Sequence, residues 1–211
     1  MFLVIIGPPG AGKGTQAKRL AETLGLVHVS TGEIFRENIS HETELGRRVK
    51  KLLESGTLVP DNLTIELVQE RISQFAHNQG AIFDGFPRNI EQTKALEDML
   101  LVNSNGVDLA PLINLSDSTV VDRLTGRRTD MDTGKTYHLI YDPPPNGVNL
   151  GQRSDDRRDT VVRRLEEYHE SIVPVLAYYD ERGLLCEIDG ENTIDKVTVA
   201  LLGEIKGRVF A

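Results

Sequence analysis

The segment at residues 7–15 has the residue types and spacing of a loop that binds phosphate groups. It follows a short apolar run, precedes a helical pattern, and reads Gly-Pro-Pro-Gly-Ala-Gly-Lys-Gly-Thr. Glycines let backbone N–H groups converge on phosphate oxygens, and a helix that starts there adds the positive end of its dipole. Lys13 supplies a mobile positive charge for the terminal phosphates. Gly14 stands where such loops usually carry Ser or Thr, so the usual hydroxyl ligand for magnesium is missing, and Thr15 follows one place later.

Arginines are concentrated in one part of an otherwise acidic chain. The formal net charge is −8, yet eight arginines lie between positions 123 and 164: Arg123, Arg127, Arg128, Arg153, Arg157, Arg158, Arg163 and Arg164. A local arginine cluster on an acidic protein favours a small, multiply charged anion as ligand. The overall charge argues against a nucleic-acid surface, which is usually basic. The alternative is that several of these arginines lie on a solvated helix face.

Short apolar runs alternate with longer amphipathic stretches along the chain. The pattern predicts strands at residues 2–6, 27–30, 81–83, 112–115 and 185–188. It predicts helices at residues 13–24, 31–39, 43–54, 61–77, 90–101, 116–127, 156–182 and 193–209, with Pro174 inside the longest one. Strand-helix alternation of this kind is typical of a parallel sheet covered by helices on both faces. We therefore expect an α/β fold with about five parallel strands.

Two segments interrupt this alternation and divide the chain into a core and two insertions. Residues 30–60 place two short helices between the second and third strands. Residues 126–156 carry turn signals around a short strand-like run, and a long irregular insertion in a compact domain is usually functional or disordered. We interpret residues 126–156 as a folded lid. The core then comprises residues 1–29, 61–125 and 157–211.

Composition indicates a cytoplasmic protein that does not enter a membrane. No segment of the 211 residues approaches the roughly 20 unbroken apolar residues of a membrane span. The apolar N-terminus is short and has no basic leader, so we do not interpret it as a signal peptide. The single cysteine, Cys186, allows no internal disulfide.

Five motifs in order resemble the adenylate kinase family of nucleoside monophosphate kinases. The first is the loop at residues 7–15, in which Gly-Thr follows the lysine. The others lie at residues 30–36 (Ser-Thr-Gly-Glu-Ile-Phe-Arg), 84–88 (Asp-Gly-Phe-Pro-Arg, with Gln92), 122–128 (Asp-Arg-Leu-Thr-Gly-Arg-Arg), and 153–156 (Arg-Ser-Asp-Asp, followed by Arg163-Arg164-Leu165). The resemblance covers essentially the whole chain. It implies a P-loop NTPase-type core, an AMP-binding insertion at residues 30–60, and a monomer.

The resemblance also implies an activity and the residues that perform it. The reaction is magnesium-dependent phosphoryl transfer between ATP and AMP, giving ADP, which serves adenine nucleotide homeostasis and nucleotide biosynthesis. The implied catalytic residues are Lys13, Asp84, Arg88, Arg123, Arg153 and Arg164. The implied ATP-binding residues are Gly10, Ala11, Gly12, Lys13, Gly14, Thr15, Arg123, Arg127, Thr136, Tyr137 and Asn192. The implied AMP-binding residues are Thr31, Arg36, Thr57, Leu58, Val59, Gly85, Phe86, Pro87, Arg88, Gln92, Arg153 and Arg164.

The resemblance also implies which metal ions the protein uses. Asp84 is expected to orient Mg²⁺ through water, since magnesium keeps much of its hydration shell; the alternative is a structural carboxylate that caps its loop. Some family members hold the lid with four cysteines around zinc, but residues 126–156 contain no cysteine, so we expect no structural zinc.

The alternative functions are a UMP/CMP-type kinase and a nucleotide-binding regulatory module without turnover.

Overall fold

A central parallel sheet forms the core of the protein. The computed structural model describes residues 1–76, 79–102 and 105–209. The strands of the central sheet are β1 (Phe2–Ile5), β2 (Val27–Ser30), β3 (Ala81–Asp84), β4 (Ala110–Asn114) and, after three strands that lie outside this sheet, β8 (Leu185–Asp189). β3 pairs in parallel with both β1 and β2, and β4 pairs in parallel with β8. Single parallel bridges, Leu3 to Leu109 and Ile6 to Leu112, join the two groups.

Helices cover both faces of this sheet, as the alternating pattern predicted. They are α1 (Lys13–Leu24), α2 (Thr31–Ser40), α3 (Glu44–Ser55), α4 (Asp61–Ser73), α5 (Ile90–Leu101), α6 (Asp117–Gly126), α7 (Arg158–Asp180) and α8 (Ile194–Val209). Successive strand residues point to opposite faces, so Leu3 packs with Leu20 and Leu201 in one apolar cluster, while Val4 packs with Tyr179 in the other. The predicted α/β fold with parallel strands flanked by helices is confirmed.

The two predicted insertions contain regular structure of their own. Helices α2 and α3 lie between β2 and α4, and Phe35, Val49 and Val59 form a separate small apolar cluster there. Strands β5 (Arg127–Asp130), β6 (Thr136–His138) and β7 (Leu150–Gly151) form an antiparallel sheet in the order β6-β5-β7. The division into a core, an AMP-binding insertion and a lid stays a prediction.

Several element boundaries differ from those predicted. Helix α4 ends at Ser73, before the predicted end at residue 77, which lies outside the described residues. The predicted helix at 156–182 is a 3₁₀ turn at Ser154–Asp156 followed by α7, which continues through Pro174 to Asp180. Within the described residues, no helix is both long enough and apolar enough to cross a bilayer.

Candidate active site

The glycine-rich loop leads from β1 into α1 at the carboxyl edge of the sheet. Gly10 and Gly12 have φ angles of 81° and 87°, a conformation that side chains with a β-carbon rarely adopt. A β-carbon added to Gly10 would also lie 2.9 Å from Cγ of Leu124 on α6. Gly10 is therefore required both by the backbone conformation and by the close approach of α6, and Gly12 by the backbone conformation alone.

Lys13 is folded back onto the loop that precedes it. Its Nζ donates hydrogen bonds to the carbonyl oxygens of Gly7 at 2.7 Å and Pro8 at 2.8 Å. Burial lowers the pKa of Lys13 to about 8; Asp84 opposes this change and Arg88 adds to it. The ammonium group is thus half-buried in a positively charged environment, where an anion would stabilise its charged form.

Asp84 ends β3 beside the glycine-rich loop. Its Oδ2 accepts a hydrogen bond from Ser30 Oγ at 3.1 Å, and His28 Nε2 lies 3.7 Å from the same oxygen. Burial alone would raise the pKa of Asp84, but the neighbouring His28 ring and the charge of Lys13 bring the pKa below its ordinary value. The side chain is therefore a carboxylate at neutral pH, as a cation ligand must be.

Two arginines of the predicted site form ion pairs with consecutive carboxylates. Arg127 donates to the fully buried Asp156 through Nε, at 2.8 Å, and through a terminal nitrogen, at 2.5 Å. Arg164 donates to Asp155 Oδ2 at 2.8 Å. These pairs connect α7 and the start of β5 to the turn at residues 154–156. The sequence motif contains both aspartates, but sequence reasoning gave them no role.

Four other arginines of the predicted site have no carboxylate partner within the described residues. The arginine–carboxylate pairs there are Arg19–Asp195, Arg127–Asp156, Arg164–Asp155 and Arg208–Glu204. The remaining site arginines are Arg36, Arg88, Arg123 and Arg153. Arg88 Nε donates to the carbonyl of Gly85 at 2.7 Å, and Arg123 donates to the carbonyl of Gly190 at 2.8 Å.

Burial disfavours the charged form of four of the site arginines. Burial, together with Arg164, lowers the pKa of Arg88 to about 10. Burial, together with Arg127 and Arg36, lowers the pKa of Arg153 to about 9. Burial also lowers the pKa of Arg36 and of Arg164. Clustered cations with neutral hydrogen-bond partners are the arrangement expected of a polyanion site.

A cleft lies beside Lys13, Arg88 and Arg164. Of the predicted residues, its lining includes Lys13, Leu58, Gly85, Pro87, Arg88 and Arg164. The side chains of Phe86 and Val59 do not reach it, because Phe86 is buried among Val4, Phe83 and their neighbours and Val59 packs on Phe35. Contacts from these two positions would have to come from the backbone.

The polar residues expected to bind AMP already have partners. Thr31 is buried and donates through Oγ1 to the carbonyl of Gly85 at 2.9 Å. Gln92 is 1% exposed; its Nε2 donates to Asp61 at 2.7 Å, and its Oε1 accepts from Arg88 N at 2.9 Å. Thr57, the remaining polar member, is exposed.

The residues expected over the ATP base lie on separate elements. Thr136 and Tyr137 lie on β6, where Thr136 Oγ1 accepts from Arg153 at 3.3 Å and Tyr137 is 8% exposed. Asn192 follows β8, and its Nδ2 donates to Asp189 at 2.8 Å. Ala11, in the loop after β1, is buried, and Thr15, in the first turn of α1, is exposed. The ATP role of each stays a prediction.

One face of α7 was missed as part of the cleft. Besides Arg164, this helix contributes Glu167, Tyr168, Ser171 and Ile172 to the lining. These positions recur at intervals of three and four, which is the period of one helix face, so the spacing could have identified them. Glu167 also accepts a hydrogen bond from Leu58 N at 3.1 Å, which connects α7 to the segment after α3.

Comparisons with known proteins show which family the chain is similar to. A family model described as Adenylate kinase matches residues 5–184. The chain is 42% identical over 210 residues to an adenylate kinase of Agathobacter rectalis, covering 96% of this chain and 98% of that protein. It is 44% identical over 215 residues to one of Moorella thermoacetica, with 99% of each chain covered. It is 42% identical over 213 residues to one of Methanocella arvoryzae, covering 98% and 99%.

Proposed function

The chain belongs to the adenylate kinase family, a family of phosphotransferases, and from this premise we propose which reaction it catalyses and which residues act. The proposed reaction is the reversible transfer of the γ-phosphoryl group of ATP to AMP, giving two ADP. The observation that carries it is the cleft in which Lys13, Arg88 and Arg164 meet. Binding two nucleotide polyanions side by side requires this density of positive charge.

The loop after β1 is the proposed ATP site. Its backbone N–H groups and the start of α1 would bind the phosphates, and Lys13 would leave the carbonyls of Gly7 and Pro8 to bind the terminal ones. Arg123 would bind from α6, with Thr136 and Tyr137 covering the base and Asn192 beside it. Arg127 has Asp156 as its partner, so we propose that it acts on ATP mainly through charge.

The AMP site is proposed on the other side of the cleft. Arg36 and Arg88 would bind the AMP phosphate, because both are cationic and neither has a carboxylate partner among the described residues. Thr31, Gln92 and the backbone at residues 57–59 would surround the adenine. Gly85 and Pro87 line the cleft. Arg153 and Arg164 would act on the phosphate being transferred.

Asp84 is the proposed magnesium residue. Its donor set fits: it is a carboxylate beside the phosphate-binding loop, and Ser30 bonds only Oδ2, which leaves Oδ1 for a water of the hydrated ion. Mg²⁺, when bound, would neutralise phosphate charge and align ATP. Within the described residues no group of three or more His, Cys, Asp or Glu side chains could hold another metal ion.

The reaction requires the protein to position the two nucleotides and to stabilise the charge of the transferring phosphoryl group. An ionised phosphate oxygen of AMP attacks the γ-phosphorus; a new P–O bond forms, and the bond between that phosphorus and the β,γ-bridging oxygen breaks. The nucleophile is already an anion, so no general base is needed. Lys13, Arg88, Arg123, Arg153 and Arg164 would stabilise the charge that develops on the transferring group. We also propose that the protein acts as a monomer in the cytoplasm.

A coupled assay of ADP formation tests the proposal against its alternatives. With ATP and Mg²⁺, we expect fast turnover with AMP and turnover lower by orders of magnitude with UMP and CMP. Preference for UMP or CMP would identify the pyrimidine-type kinase. Binding of ATP without turnover of any acceptor would identify a regulatory module.

A further inference from the structure

A chain of hydrogen bonds connects Gln92 to the first residue of α4. Asp61 Oδ1 accepts from Gln92 Nε2 at 2.7 Å. Asn89 Nδ2 donates to both carboxylate oxygens of Asp61, at 2.9 Å and 3.0 Å. Asn89 Oδ1 in turn accepts from Gln92 N at 3.0 Å, as the N-cap of α5. We propose that Asp61 is a positioning residue that fixes the orientation of the Gln92 amide and thereby selects 6-aminopurine over 6-oxopurine monophosphates as phosphoryl acceptors.

Two partners of opposite character determine which way the Gln92 amide faces. A carboxylate accepts only, so the amide group that contacts Asp61 must be the NH₂. A backbone N–H donates only, so the group at 2.9 Å from Arg88 N must be the carbonyl oxygen. Reversing the amide would place its oxygen against a carboxylate and its NH₂ against an N–H. The orientation is therefore enforced from both ends.

The fixed amide still has bonding capacity for a ligand. An amide NH₂ has two hydrogens and an amide oxygen accepts two hydrogen bonds, and one of each is used by Asp61 and Arg88. The remaining hydrogen and lone pair would offer one donor and one acceptor, in a fixed order, to a base that reaches this buried side chain. Adenine offers a complementary acceptor at N1 and donor at the 6-amino group. Hypoxanthine offers a donor at N1–H and an acceptor at O6, which is the reversed order.

Replacing Asp61 should allow the Gln92 amide to reverse its orientation. Without its charge, the NH₂ end of Gln92 loses its strongest acceptor, and only the N–H of Arg88 still opposes reversal. A 6-oxopurine could then pair with a reversed amide at lower cost. The inference rests on the proposed role of Gln92 at the AMP base, so the experiment includes Gln92 itself.

The competing explanation is that Asp61 only stabilises the start of α4, where acidic residues interact favourably with the helix dipole. A structural role of that kind would change catalysis with both acceptors by the same factor. The ratio of kcat/KM for AMP to kcat/KM for inosine monophosphate separates the two explanations, because the ratio responds only to base recognition.

The test compares Asp61→Asn with the wild type in the full chain. We expect the AMP to inosine monophosphate ratio to fall about tenfold, a loss typical of one mismatched polar contact, with the KM for ATP unchanged. Asp61→Ser, which keeps a residue suited to a helix start, should shift the ratio in the same direction if Asp61→Asn folds poorly. Glu66→Gln removes an exposed carboxylate from the same helix and should leave the ratio unchanged.

Gln92→Ala makes the two possible failures distinguishable. If Gln92→Ala lowers the ratio and the Asp61 variants leave it within about twofold of the wild type, the positioning role is wrong while the AMP site stands. If Gln92→Ala also leaves the ratio unchanged, Gln92 does not bind the base, and the role proposed for Asp61 is overturned with it.

Discussion

Gly14 lies directly against the carboxylate of Asp84: a β-carbon added to Gly14 would stand 3.2 Å from Oδ2 of Asp84. This is the position at which phosphate-binding loops usually carry a hydroxyl for magnesium. The glycine therefore does more than omit a ligand, because it opens the space into which the end of β3 brings a carboxylate. Gly14 of α1 and Asp84 of β3 therefore lie side by side next to the loop.

Gly14→Ala should therefore separate stability from activity. Alanine is favoured over glycine in a helix by up to about 1 kcal/mol, and the tight contact with Asp84 offsets this gain, so the free energy of unfolding should change little. The new methyl group would push the Asp84 carboxylate aside, and we expect kcat to fall about tenfold, with more Mg²⁺ needed for half-maximal rate. Thermal unfolding and a magnesium titration of the rate measure both effects. Wild-type magnesium dependence would show that the closeness of Gly14 and Asp84 has no catalytic meaning.

Lys13→Ala should abolish useful turnover while the protein stays folded. We expect kcat/KM to fall on the order of 10³-fold or more, since a charge that stabilises phosphoryl transfer is removed. The hydrogen bonds that are lost end on the carbonyls of Gly7 and Pro8, in a loop rather than in the core. Lys18→Ala is the control on the same helix, because its side chain is 57% exposed and its ion pair with Glu33 is at the surface. A Lys13→Ala variant with near-normal kcat would contradict the assignment of this loop as the ATP phosphate site.

The burial of Lys13 predicts a pH dependence of stability. Its pKa falls from 10.5 to about 8 on folding, so below pH 8 the folded state holds a charge that it disfavours. Between these values the unfolded chain binds more protons than the folded one, so this group makes stability rise with pH. Lys13→Met should therefore unfold at a higher temperature than the wild type at pH 7, and the difference should shrink between pH 8 and 10.5. Calorimetry at several pH values measures it, and a constant difference would contradict the prediction.

Asp156→Asn should destabilise the fold strongly. Asp156 is fully buried and forms two hydrogen bonds with Arg127, whose guanidinium would be left without its carboxylate. Removing one partner of a buried pair costs about 3 kcal/mol or more in the free energy of unfolding. Chemical denaturation measures the loss, and Asp159→Asn, an exposed carboxylate in the first turn of α7, is the control. Equal stability of the two variants would show that the Arg127–Asp156 pair adds little.

The sequence predicted the parts of the molecule that local rules determine. The apolar run at the start of β1 and the glycines at positions 10 and 12 carry enough local information to predict a strand, a loop and a helix. The partners of charged side chains were harder to predict. That Arg127 pairs with Asp156, or that Gln92 contacts Asp61 across 31 positions, depends on how separate elements pack together, and no local pattern records it. The sequence predicted a mobile charge at Lys13; the side chain is half-buried, because it folds back onto Gly7 and Pro8.

The last prediction is that residues 30–60 and 126–156 close over the bound nucleotides. A site that activates the γ-phosphate for attack by AMP would hydrolyse ATP if water entered instead, so closure should precede chemistry. Charge supplies the trigger: Arg36 and Arg153 come from the two insertions, and burial together with the charges of Arg127 and Arg36 lowers the pKa of Arg153. A bound polyphosphate would accept hydrogen bonds from both arginines and so link the two insertions.

Labels at exposed positions can measure this closure. Ile140 on the lid segment and Val199 on α8 are 74% and 70% exposed, so cysteines there can be labelled in a chain whose buried Cys186 is replaced by alanine. We expect the distance between them to shorten when an analogue of two adenosines joined by a polyphosphate is added, and adenosine alone to have no effect. The same shortening is expected for a label at Lys50 in the other insertion. Because the polyanion acts through Arg153, Arg153→Met should weaken the response while the fold is kept. An unchanged distance distribution with the analogue bound would make residues 126–156 a static surface insertion.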